Sequence, residues 1–336
     1  MYSHIFFIIL TFVPLLFFCL KFKTVSNFLG IYDLPNKKKK IHSTKVPLLG
    51  GFIFFLYFNI FFIFDILYFS IIPKNISLIF LCYTNIFFVI GVIDDKFTVK
   101  PVNKIFATIL FLIFLHYIFR DFYLHKIYVA SFDKLLTLNF LITLFCFLLL
   151  QIAVNLSDGT NGTVGLYSIF WAIILIYLSR NFFVNIILFL FIITLILFLF
   201  FNFQSKVFLG TAGCNYISIF FSVISVFLNN NQIIPAEYFV SLFFIPGIDM
   251  IRIFVLRLTN NKNVFSYDRN HLHHILQFKF NKYNSILYLL ICISFFFISL
   301  FFLNKSYYLQ FLTAFSLIYV IFINLYIVKN KNINFN

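Results

Sequence analysis

Long apolar runs separated by short polar stretches cover this chain from end to end. A helix needs about 20 apolar residues to cross a bilayer. Applied along the sequence, that length predicts eleven spanning helices, near 2–20, 49–69, 77–93, 104–119, 136–154, 163–179, 182–201, 213–228, 237–256, 285–303 and 308–328. The fourth and sixth are short, and the ninth holds Pro246, Gly247 and Asp249, which predicts a kink or break there. The first run, MYSHIFFIILTFVPLLFFCL, has no basic segment before it and no small-residue cleavage site after it, so it reads as a span and not as a signal peptide. The pattern predicts an all-α, polytopic integral membrane protein with a single domain over 1–336.

Composition agrees. The chain is 62% hydrophobic and 10% charged, against about 45–50% and about 25% in soluble domains. Its 57 phenylalanines cannot all be hidden in one soluble core. The Phe/Ile/Lys/Asn bias resembles AT-rich coding, so single phenylalanines carry no functional weight. A net charge of +15 could suggest nucleic acid. The lysines lie between apolar spans, however, where the bias of cytoplasmic loops explains them and no nucleic-acid partner is needed. Cys19, Cys82, Cys146, Cys214 and Cys292 are far apart and show neither metal-ligand spacing nor a disulfide framework.

Basic residues also give an orientation. Nineteen Lys and Arg fall in the loops after odd-numbered spans and in the C-terminal tail; only Lys74, Arg120, Lys126, Lys134, Arg180 and Lys305 fall in the others. The positive-inside bias then predicts an N-terminus outside, a C-terminus in the cytoplasm, and cytoplasmic loops that carry the chemistry. Asp33, Asp94, Asp95, Asp158, Asp268, His42, His271, His273 and His274 all sort to the cytoplasmic side, with Asp249 at that end of its span. A transporter would keep ionisable groups near the bilayer midplane. Polar chemistry at one face suits an enzyme that joins a soluble substrate to a lipid one.

Four stretches could carry that chemistry. Asp94-Asp95 is a pair of adjacent carboxylates, suited to Mg²⁺, which takes one or two carboxylates plus phosphate oxygens and water. The bland alternative is a solvated loop pair with Lys96 and Lys100 as counterions. In NLSDGTNGTVG, 155–165, Asn155, Asp158 and Asn161 offer oxygen ligands, and Gly159 and Gly162 permit close approach; a simple polar turn would be expected to carry a basic residue, and this one has none. In YDRNHLHHIL, 267–276, His271 and His274 stand at i and i+3 and share a face if helical, with His273 and Arg269 beside them. With no cysteine or carboxylate partner in view, phosphate or pyrophosphate recognition is preferred to a zinc site, Arg giving bidentate contacts. The alternative is a basic interfacial loop. Finally, IYDLPNKKKKIHSTKVPLLGG, 31–51, runs from Asp33 through four lysines to Gly50-Gly51. The lysines read as a topology signal and lipid anchor, and the glycine pair as a site of close packing or of approach to a lipid phosphate.

With these residues in place, the chain resembles the polyprenyl-phosphate N-acetylhexosamine-1-phosphate transferases of the MraY/WecA-like family, glycosyltransferase 4, and within it the WecA/TagO-like branch. The family's DxPNxRKxH…P…GG pattern is matched by Asp33, Pro35, Asn36, His42, Pro47 and Gly50-Gly51. Its Asp-Asp pair with a downstream lysine is matched by Asp94, Asp95 and Lys104, and its Asn-x-x-Asp-Gly loop by Asn155, Asp158, Gly159, Asn161 and Gly162. Its Asp-Arg and HxHH element is matched by Asp268, Arg269, His271, His273 and His274.

The resemblance implies transfer of HexNAc-1-phosphate from a UDP-N-acetylhexosamine, UDP-GlcNAc first among them, to undecaprenyl phosphate, with release of UMP. The lipid-diphosphate sugar formed would initiate a cell-envelope glycan such as O-antigen or teichoic acid at the inner, cytoplasmic membrane. It implies Mg²⁺ as cofactor, or Mn²⁺ in its place, and is compatible with a homodimer. Asp94, Asp95 and Asp158 become catalytic candidates. Lys104, Asn155, Asn161, Arg269, His271, His273 and His274 become substrate-binding candidates, and Asp94, Asp95, Asn155 and Asp158 metal candidates. One element departs from the pattern. The family's FxGDxGS, whose aspartate is a metal ligand, reads FLGTAGC at 208–214, with Thr211 in place of the acid. That leaves the metal site short of a charge and keeps open a non-catalytic binding homologue. The other alternative, an MraY-like phospho-MurNAc-pentapeptide transferase, is disfavoured by the Asp-x-Pro-Asn…His and DRNHLHH forms.

Overall fold

The computed structural model describes residues 2–35, 44–120, 122–124, 126–129, 134–137, 140–264, 269–303 and 307–329. Each of the eleven apolar runs coincides with a helix: α1 Tyr2–Leu20, α3 Gly50–Phe64, α4 Lys74–Phe97, α5 Pro101–Ile118, α6 Phe140–Ser157, α7 Thr163–Ser179, α8 Phe182–Asn202, α9 Gly210–Asn230, α10 Ala236–Thr259, α12 Asn284–Leu300 and α13 Tyr308–Lys329. Two shorter helices lie between them, α2 Phe22–Leu29 and α11 Leu272–Phe280. Among the described residues eight helices are long and apolar enough to cross a membrane; α7 and α12, at 17 residues each, are shorter.

Three features differ from the sequence expectation. The first run does not end as a plain span: the helix turns by 76° at Lys21 into α2. This short helix closes on Gly30, whose left-handed backbone (φ 70°) lets its N–H reach the carbonyl of Ser26. The ninth run is one continuous 24-residue helix through Pro246, so of the kink or break expected there the break does not occur. A proline is tolerated inside a membrane helix where neighbouring groups satisfy the backbone it frees. The architecture is also not purely helical. Two antiparallel pairs occur, β1 Tyr32–Asp33 with β2 Val46–Pro47, and β3 Lys126–Val129 with β4 Lys134–Thr137.

The chain divides into two compact units, Met1–Phe122 with Ala172–Ile224, and Tyr123–Trp171 with Ser225–Asn336. In the first, α3 packs against α1, α4 and α8, and α4 against α5. Its core is aromatic: Phe54, Phe58, Phe61 and Phe191 are fully buried, and Phe191 stacks on Phe220 at 4.0 Å between ring centres. So part of the phenylalanine excess fills helix interfaces, and the rest, such as Phe17, Phe106 and Phe114, faces outward as lipid-compatible surface. In the second unit, α10 packs against α6 and α12, and α12 against α11 and α13.

The β1–β2 pair brings Asp33 beside Val46 and leads straight into Gly50-Gly51. The Gly50 and Gly51 N–H groups donate to the carbonyls of Phe208 and Leu209, so α3 begins against the backbone that precedes α9. A Cβ on Gly51 would sit 2.5 Å from the nitrogen of Gly213, which is why the close packing expected there needs glycine. Asn36, the lysine run and His42 lie outside the described residues, as does Asp268.

Candidate active site

In the first unit, Asp94 and Asp95 occupy the last turn of α4, a helix end and not a solvated loop. Asp94 is buried, at 7% exposure. Its Oδ1 accepts from the N–H of Val99 at 2.9 Å, which closes the helix together with the left-handed Thr98 (φ 47°). Its Oδ2 accepts from Lys104 Nζ and from the Thr211 hydroxyl, each at 2.8 Å. The counterion is therefore Lys104, from the first turn of α5, and not Lys96 or Lys100. Lys96 lies instead over the ring of Phe97.

Asp95 is engaged differently. Its two oxygens accept the backbone N–H groups of Thr211 and Ala212, at 2.8 and 3.0 Å. These are among the first amides of α9, which have no partner inside their own helix. Asp95 thus caps a helix 115 positions downstream, where the positive end of the helix dipole favours a carboxylate. Thr211, which stands where the resemblance implied an aspartate, is a hydrogen-bond donor to Asp94 and part of the amide cradle for Asp95.

In the second unit, α6 ends at Ser157 and the chain turns through Asp158–Gly162 before α7. The N–H of Asp158 bonds back to the carbonyl of Asn155 at 3.4 Å, and Asn155, Asp158 and Asn161 are all half-buried. Gly159 is pressed onto the histidines: a Cβ there would overlap His273 Nε2 and come within 2.9 Å of His274 Cε1. The turn and the HxHH element, more than a hundred residues apart in sequence, are in contact.

His271 does not share a helical face with His274. Its backbone is extended (φ −65°, ψ 149°), and it sits at the position before α11, with the two rings 6.4 Å apart. His273 stacks on His271 at 5.5 Å and lies 4.2 Å from His274. It is buried and neither ring nitrogen has a hydrogen-bond partner among the described residues. Burial, with the imidazoles of His274 and His271 nearby, holds His273 well below the usual histidine range, so it is neutral at pH 7. Arg269 is half-buried in the turn before α11.

His271 does have a carboxylate partner, contrary to the sequence expectation. Asp249 Oδ2 lies 3.1 Å from His271 Nδ1. On its own helix Asp249 pairs with Arg252, at 2.7 Å from Nη2. Asp249 and Arg252 were given no role from sequence; the available signal was a carboxylate and a guanidinium at i and i+3 within an apolar run, where charges are costly and are kept in pairs.

Residues 77–229 match the family model for Glycosyl transferase family 4. That region of the chain belongs to glycosyl transferase family 4. The family 4 match includes Asp94, Asp95, Lys104, Asn155, Asp158, Asn161 and Thr211, and stops before Asp249 and the histidines. It suggests a polyprenyl-phosphate sugar-phosphate transferase acting at a membrane. No curated protein matches the chain.

Proposed function

We propose that this chain, a member of the WecA/TagO-like branch, transfers N-acetylhexosamine-1-phosphate from a UDP-N-acetylhexosamine, UDP-GlcNAc in the first instance, to undecaprenyl phosphate. An oxygen of the lipid phosphate attacks the β-phosphorus of the nucleotide sugar. The bond from that phosphorus to the oxygen bridging it to the α-phosphorus breaks, and UMP leaves. The eleven helices are read as eleven spans, with the catalytic segments on the cytoplasmic face of the inner membrane.

The observation that carries this reading is the contact of the Asp158–Gly159 turn with the histidine cluster. It joins an oxygen-rich turn to imidazole donors, as recognition of a nucleotide diphosphate requires, within a chain whose family 4 region points to sugar-phosphate transfer. Asn155, Asp158 and Asn161 are assigned to the nucleotide sugar, and Arg269, His271, His273 and His274 to its phosphates. Asp94 is assigned to orienting or deprotonating the lipid phosphate. Lys104, whose ammonium has donors beyond the one given to Asp94, is assigned to holding that phosphate. Asp95 is assigned to anchoring α9.

We assign the metal to one of these clusters and not to the other. Every carboxylate oxygen of Asp94 and Asp95 already accepts a hydrogen bond, and Lys104 sits where a cation would. Among the described residues no group of three or more His, Cys, Asp or Glu is placed to hold a metal ion. The turn at 155–162, by contrast, presents the hard oxygen donors that Mg²⁺ accepts beside phosphate. Asn155 and Asp158 would hold Mg²⁺ or Mn²⁺ there, and the ion would neutralise diphosphate charge. The chemistry assigned to this chain's own side chains does not pass through it.

Membranes containing the protein, given undecaprenyl phosphate and UDP-GlcNAc or UDP-GalNAc labelled in the sugar, should form a labelled, organic-extractable lipid. The double variant Asp94→Asn/Asp95→Asn should not. No labelled lipid from the folded wild type with any UDP-HexNAc would mean a binding protein on a transferase scaffold.

A further inference from the structure

Asp249 is buried in an apolar helix, where an ionised carboxylate persists only if its partners repay the lost hydration. The ion pair with Arg252 supplies one such partner. Asp249 does more. Oδ1 accepts from Arg252 Nη2 at 2.7 Å and Nε at 3.2 Å, and from the Tyr319 hydroxyl of α13 at 3.1 Å. Oδ2 faces the other way, to His271 Nδ1 at 3.1 Å, while the N–H of Leu272 lies 3.2 Å from Oδ2 and 3.3 Å from Oδ1. Leu272 is the first residue of α11, so the same carboxylate fixes the start of that helix and the ring of the histidine before it. Arg252 is tied in turn to the carbonyl of Asn270 at 2.6 Å, one residue before His271.

An ionised carboxylate can only accept. A bond to Asp249 therefore requires the proton of His271 to sit on Nδ1, which leaves Nε2 as the ring atom that acts on anything else. Where a carboxylate backs an imidazole in this way it fixes tautomer and orientation and stabilises the imidazolium. We infer that Asp249, braced by Arg252 and Tyr319, is a positioning residue for His271, setting its tautomer and aiming Nε2 at the phosphates of the nucleotide sugar. The inference that Nε2 serves phosphates rests on the proposed transferase reaction; the tautomer does not.

Replacing Asp249 by Asn separates the two. Arg252 and Tyr319 would hold the amide oxygen, so the amide NH₂ would face His271, and a donor would meet a donor. Magnetic resonance of nitrogen-labelled histidine in lipid nanodiscs reads the ring directly, with the His271 signal identified from His271→Gln. The wild type, Asp249→Glu and Tyr319→Phe should show His271 protonated on Nδ1, and Asp249→Asn should lose that form. If Asp249→Asn does not fold because Arg252 loses its counter-charge, Asp249→Leu/Arg252→Met, which leaves no side-chain acceptor for Nδ1 at position 249, carries the same comparison. Retention of the Nδ1–H form in whichever variant folds would overturn the inference. In the transfer assay, Asp249→Asn should lower kcat/KM by about 100-fold per folded molecule, the lower end for a misplaced proton-carrying group, with partial rescue by Asp249→Glu. Full activity in Asp249→Asn would also overturn it. A wild type with no transferase activity but an Asp249-dependent tautomer would remove the reaction and keep the positioning role.

Discussion

At the scale of single residues, the adjacent carboxylates Asp94 and Asp95 have separate tasks. Asp95 spends both oxygens on amides at the N-terminus of α9. Asp95→Asn keeps one acceptor and loses the charge, so it should cost about 2 kcal/mol of stability, from the helix-end charge and an unpaired amide. Asp94 holds a lysine that is 30% exposed, a pair worth about 1 kcal/mol or less. Asp94→Asn should therefore melt near the wild type yet lose activity by at least about 100-fold. The reverse pattern, an active Asp94→Asn and a stable but inactive Asp95→Asn, would exchange their roles. Thr211 gives a second test. Thr211→Asp would place a third carboxylate within hydrogen-bond reach of Asp94 Oδ2. Its melting temperature should fall in EDTA and recover in Mg²⁺, by about 2.7 kcal/mol at a hundredfold excess over Kd. With the site at the 155–162 turn removed by Asp158→Asn in both proteins, the one that keeps Thr211 should not respond; an equal Mg²⁺ response without the new acid would show that Asp94 and Asp95 already hold the ion.

At the scale of elements, the helices were legible and their ends were not. Apolar length alone located eleven helices, because a run of about 20 apolar residues has few other uses. The bend at Lys21, the continuous helix through Pro246 and the β3–β4 hairpin depend on which partners meet each backbone group, and hydropathy does not record that. The same limit explains the site. Asp94-Asp95, the turn at 155–162 and HxHH stand out in so apolar a sequence, whereas the Asp95–α9 cap and the Asp249–His271 pair join residues 116 and 22 positions apart. Helix α11 is held by one such meeting, His273 against Gly159. Because folding keeps His273 below its ordinary value, the unfolded chain binds the extra proton first. The stability that depends on neutral His273 is complete above about pH 6.5 and is lost as pH falls from there toward the lowered folded value, at up to about 1.4 kcal/mol per pH unit. His273→Phe should flatten the melting temperature between pH 7 and 5; an unchanged acid slope would assign that loss to other groups.

At the scale of the whole molecule, outward phenylalanines and buried aromatic cores make a membrane body, and among the described residues two hydrogen-bonded clusters stand out in it, Asp94 and Asp95 with Lys104 and Thr211, and Asp249 with Arg252 and His271. A transferase that moves a sugar together with its phosphate is set apart from one that moves the sugar alone by the fate of a single atom, the β-phosphorus of the nucleotide sugar. The most direct measurement gives purified protein in lipid nanodiscs undecaprenyl phosphate and UDP-GlcNAc radiolabelled at that phosphorus. The account predicts label in the extracted lipid, with unlabelled UMP released in equal amount. Label remaining in UDP while sugar enters the lipid would contradict it, as would folded wild type that leaves the label in UDP-GlcNAc and in every other UDP-HexNAc supplied.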